Sequence, residues 1–81
     1  MPDLTFAHMP HWLAQADRLA AQDAFDLSGI ERIDSAGAAF LLELTRRAAR
    51  HGRTLRLDKV PDQVRSLLQF LQIDGALKLD S

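Results

Sequence analysis

Two apolar periodicities alternate along this chain, and that alternation narrows its fold more than any other property. Met9, Trp12, Leu13, Ala16, Leu19 and Ala20 share one side of a helical wheel, while Asp17, Arg18 and Gln22 share the other. Pro10 suits a first helical turn. Ala24-Phe25-Asp26-Leu27 then reads as a short strand ended by Ser28-Gly29, and Ile30-Glu31-Arg32-Ile33 as a connector with two apolar anchors. A second helix is expected from Ser35 to His51, stopped by Gly52. Thr54-Leu55-Arg56-Leu57-Asp58 alternates as a half-buried strand does. Pro61 opens a third helix carrying Val64, Leu67, Leu68 and Leu71, and Ala76-Leu77-Lys78-Leu79 supplies a last strand. Helices interleaved with strands imply parallel pairing, with crossover helices packed on the sheet: an α/β fold.

The chain has 81 residues, room for one domain over 1–81 and one core. Ten basic residues stand against eleven acidic ones, so the basic excess that tracks a nucleic-acid backbone is missing. With no cysteine, neither a disulfide framework nor a thiolate metal site is available. No apolar run approaches the ~20 residues that span a bilayer. Met1-Pro2-Asp3 lacks the basic start and apolar stretch of a secretory signal. A soluble, cytoplasmic domain that does not insert into membrane is expected.

Most of the information about function lies in Asp34-Ser35-Ala36-Gly37, where the connector meets the second helix. The first helical amides have no intrahelical partners, and the macrodipole leaves partial positive charge there. Asp34 or Ser35 can cap them, and Gly37 lets another backbone or side chain come close to the first turn. Gly37, Leu41, Leu44 and Ala48 form the expected core stripe; Ala39, Glu43, Arg46 and Arg50 form the opposite, water-facing one. Ala36 and Phe40 fall between. An outward first turn built from Ala36, Ala39 and Phe40 beside a polar Asp34-Ser35 rim lacks the usual Glu, Lys or Gln. It reads as a flat docking surface for a partner, or as a patch covered by the domain's own loops.

The block running from Asp26-Leu27-Ser28-Gly29 to Asp34-Ser35-Ala36-Gly37, followed by an Ala/Leu-rich helix, resembles a STAS domain. The similarity extends from Leu4 to Leu77 and is greatest to the MlaB type, the cytoplasmic accessory subunit of a phospholipid-transporting ABC complex. The resemblance implies a non-catalytic protein-interaction domain that binds the ATPase subunit of that transporter and lies peripheral to the bacterial inner membrane. It also implies an alternative: an anti-sigma-factor antagonist whose serine at the place of Ser35 is phosphorylated by a partner kinase. In either case Asp34, Ser35, Ala36, Ala39 and Phe40 are the expected partner-binding residues. The family begins with a β-hairpin that this chain lacks, so an open sheet edge and self-association as a homodimer are expected.

Other candidates carry less. His8 and His11 have the spacing of paired ligands but no third ligand nearby, and read as surface histidines. Arg46, Arg47, Arg50, His51 and Arg53 form a basic cluster that can hold an anion, although Glu43 at helical spacing from Arg46 and Arg47 favours a solvated face. Phe70 reads as a core edge, and Asp26 as a partner for amides of the Asp34-Ser35 turn. No nucleophile elbow, phosphate-binding loop or His-Glu-x-x-His motif is present, so neither an enzyme nor a cofactor is expected. A small-molecule sensor has no feature in its favour.

Overall fold

The computed structural model describes residues 1–80, and its element order follows the sequence pattern closely. A 3₁₀ turn (Phe6–His8) leads into α1 (Met9–Leu13) and α2 (Ala16–Ala20). Strand β1 (Ala24–Asp26), helix α3 (Ser35–Arg50), strand β2 (Arg56–Asp58), helix α4 (Asp62–Phe70) and strand β3 (Lys78–Leu79) complete the chain. The strands form one parallel sheet in the order β1-β2-β3, with Phe25 opposite Leu57 and Leu57 opposite Leu79. No antiparallel pair occurs among the described residues, and β1 and β3 are both edges.

Strand parity sorts the sheet's two faces. Phe25, Leu27, Leu55, Leu57 and Leu77 point into one core with Leu41, Leu44 and Ala48 of α3 and Val64 and Leu68 of α4. On the other face Arg56 bonds Asp58 at 2.6 and 3.1 Å and lies 3.6 Å from Asp80, so this face stays wet. Burial of leucine and phenylalanine on the first face supplies the main stabilisation, roughly 1.5–3 kcal/mol per fully buried side chain.

Three expectations need correction. The single first helix is broken at Ala14-Gln15, where the Gln15 amide bonds the Trp12 carbonyl three residues back at 3.0 Å. This tighter turn rotates the stripe and leaves Leu13 54% exposed, while Trp12 and Ala16 stay buried. Phe70 is no core edge but 81% exposed, because α4 buries only Val64 and Leu68 fully. Asp26 bonds the Ser28 amide at 2.8 Å, closing its own local turn rather than reaching the Asp34-Ser35 turn.

Candidate partner-docking surface

Helix α3 owes its sharp start to Asp34. In extended backbone just before the helix, its Oδ1 accepts the Gly37 amide at 3.0 Å. Its Oδ2 accepts the Phe6 amide, also at 3.0 Å, from a segment 28 residues away. These bonds, the Phe6 one foremost, hold the Asp34 carboxyl below its ordinary pKa. Asp34 is therefore the cap and also a clasp, fastening the start of the chain to the start of α3.

Gly37 makes that fastening possible. A Cβ there would lie 1.9 Å from the Leu4 carbonyl oxygen and 3.0 Å from Ile33 Cγ1. Leu4 lies beside the connector in a parallel bridge with Ile33, its amide on the Arg32 carbonyl at 2.9 Å. The close approach expected at Gly37 is thus made by the protein's own N-terminal segment. The indole N–H of Trp12 donates to the Asp3 carbonyl at 2.9 Å and ties the same segment down a second time.

With Asp34 as cap, Ser35 is the first helical residue; it is exposed, and no hydrogen bond engages its hydroxyl among the described residues. Ala39, one turn further on, is exposed, and Ala36 is half-buried. Phe40 departs from expectation. It is only 4% exposed and packs 6.1 Å, ring to ring, from Trp12, so it belongs to the core and not to a surface floor. Partly buried Leu42, three residues after Ala39, extends the exposed Ser35–Ala39 line along the helix.

Phe6 was not among the expected site residues. Its amide is pinned to Asp34 at the head of α3, yet its ring is 76% exposed. Alternation with buried Leu4 would turn it inward; the 3₁₀ turn that begins at Phe6 breaks that alternation. The head of α3 thus presents a hydroxyl with no hydrogen bond among the described residues, a turn of small side chains and an aromatic ring held nearby. His8 and His11 bond Thr5 and Gln15, and no group of three ligating side chains exists among the described residues. Among those residues no helix is long and apolar enough to cross a membrane.

Comparison with known proteins agrees with this architecture. No curated protein matches the sequence. The crystal structure of a protein described as an anti-sigma factor antagonist from Thermotoga maritima superposes with a TM-score of 0.79 at 19% identity. That superposition covers 100% of this chain and 76% of the other, and at this identity it speaks for the fold alone. A family model described as "Mlab, STAS domain" matches residues 3–79. The chain therefore belongs to the STAS domain family, in its MlaB-type branch.

Proposed function

We infer that this protein is a non-catalytic docking module: the accessory subunit that binds the ATPase subunit of an ABC-type phospholipid transporter at the cytoplasmic side of the bacterial inner membrane. The observation that carries this reading is the match of an MlaB-type family model to residues 3–79. The exposed Ser35 and Ala39 and half-buried Ala36 supply a surface suited to it, small enough for close approach and rimmed by Asp34 and Phe6. Docking there would stabilise one arrangement of the ATPase without any chemistry by this chain. Self-association through the β1 edge forms part of the same reading.

A second reading has its own support in the Thermotoga maritima neighbour: an anti-sigma-factor antagonist controlled at Ser35 by a serine kinase. A phosphate on Ser35 would suit the helix N-terminus while charging a surface that must be desolvated on docking.

One experiment separates the two. Wild type, Ala39→Arg and Ser35→Glu are compared for melting and for affinity towards the ATPase subunit. Stability should move by no more than about 0.5 kcal/mol, whereas affinity should fall by about 2–5 kcal/mol. Equal binding by all three would move the docking surface elsewhere. Intact mass after incubation with a cognate kinase and ATP completes the comparison; one phosphate on Ser35 without ATPase-subunit binding would overturn the transporter reading.

A further inference from the structure

The far end of α3 carries a second surface feature, remote from Ser35. A groove of about 490 Å³ runs between α2 and the C-terminal turn of α3, lined by Asp17, Ala20, Ala21, Arg47, His51 and Arg53. Its size falls in the range of small-ligand sites, and the alanines leave its floor open. Gly52, at φ +71°, folds the chain back after the helix, and the Arg53 amide closes that turn on the Ala48 carbonyl at 3.0 Å. His51 and Arg53 consequently line the same groove.

Charge decides what would enter. Arg47 is oriented by Glu43 and Asp17, each at 2.9 Å. Among the described residues the side chains of His51 and Arg53 have no hydrogen-bond or ion partner. The groove's sole carboxylate, Asp17, is already committed to Arg47, so Arg53 remains uncompensated. This local excess opposes the chain's net charge of −1. Arginine at a helix C-terminus ordinarily complements the macrodipole; a groove uniting arginines from the helix and from the loop beyond it exceeds that need.

We propose that this groove binds a phosphate group, with Arg47 and Arg53 as forked donors, the His51 ring as a further donor, and Asp17 as the residue an incoming anion displaces from Arg47. Guanidinium forks match phosphate oxygens in geometry as well as charge. Asp17 is a weak competitor for Arg47, because its carboxylate is almost wholly exposed and screened by solvent while Arg47 is half-buried. Arg47 lies twelve residues beyond Ser35 on α3, about 18 Å at 1.5 Å per residue, so the groove is well separated from the head of the helix. A bound phosphate would leave the docking surface free, so the proposal stands whether or not the transporter reading does.

The test is a ¹⁵N NMR titration with inorganic phosphate at constant ionic strength, beside sedimentation with phosphatidylglycerol and with phosphatidylcholine vesicles. Shifts should concentrate at Ala20, Ala21, His51 and Arg53. Losing one charge-assisted contact in Arg53→Gln should weaken binding about tenfold, Arg53→Lys should restore only part, and Asp17→Asn should tighten it. Arg46→Gln, on α3 but outside the groove, should have little effect. Titration by free phosphate would mark a soluble ligand. Vesicle binding that needs phosphatidylglycerol and Arg53, without a response to free phosphate, would mark a lipid headgroup. Absence of both, or equal weakening by Arg46→Gln and Arg53→Gln, overturns the proposal.

Discussion

Gly37 is the residue on which most of the local architecture turns. Any side chain there meets the Leu4 backbone, which cannot swing aside as a flexible side chain would. Gly37→Ala should therefore destabilise the protein at the upper end of the ~1–3 kcal/mol typical of overpacking, despite alanine's better helix propensity. A chemical melt reads the outcome, and a neutral or stabilising effect would mean that Leu4 is not seated as described. Asp34 adds a pH dependence of definite sign. Its folded pKa is depressed, chiefly by the Phe6 amide, so its contribution is complete above the ordinary value of 3.8 and disappears as pH falls through the lower folded value. Acid titration followed by melting should show this loss. In Asp34→Asn, which keeps a capping side chain but cannot ionise, the corresponding part of the slope should vanish; an unchanged slope would exclude Asp34 as its source.

At the scale of elements, α3 and α4 end alike with different residues. After α3, Gly52 and Arg53 donate to the carbonyls of Ala49 and Ala48; after α4, Gln72 and Ile73 donate to those of Gln69 and Leu68. Both turns need a left-handed residue, and Gln72 supplies it at φ +60° without glycine's freedom. Gln72→Gly should raise stability by about 0.5–1 kcal/mol, relief of strain exceeding the entropy glycine adds to the unfolded chain. A lowered melting point would show that the Gln72 side chain compensates for its backbone. Sequence made α3 legible because its cap, stripe and stop agree, and the parallel order followed from helices alternating with strands. The break in the first helix was not legible, since Ala14, Gln15 and Ala16 all favour helix and tertiary packing imposes the tighter turn. Asp34 and Gly37 announced themselves by residue type. Phe40 did not: a wheel places it between the two stripes, and its burial depends on packing from elsewhere in the chain, Trp12 of α1 included.

For the whole molecule, the open side of β1 matters most. The Asp23 carbonyl and Leu27 amide bond towards β2, so by strand parity the amide and carbonyl of Ala24 and Asp26 face away from it. Beside that edge lies a groove lined in part by Met1, Trp12, Leu19 and Phe25. A second copy can satisfy both features, so sedimentation at micromolar concentration should reveal a reversible dimer. Ala24→Pro, which deletes an outward donor, should shift it towards monomer. A wild type whose sedimentation is independent of concentration would refute the idea.

The same parallel topology governs how quickly this small chain reaches its native state. No two neighbouring strands can meet through a hairpin; β1 must wait for α3 before it finds β2, and β2 must wait for α4 before it finds β3. Even the Leu4–Ile33 bridge closes only after the two short helices and β1 have intervened. Loop-closure entropy is therefore spent before any ladder can offset it, which places the protein among slow folders for its length. Helix α3, with its own cap and stop, is the element that can form from local interactions and serve as the nucleus. On the ribosome, β2 remains an unpaired edge until α4 and β3 have emerged, and during that interval the chain is most open to aggregation.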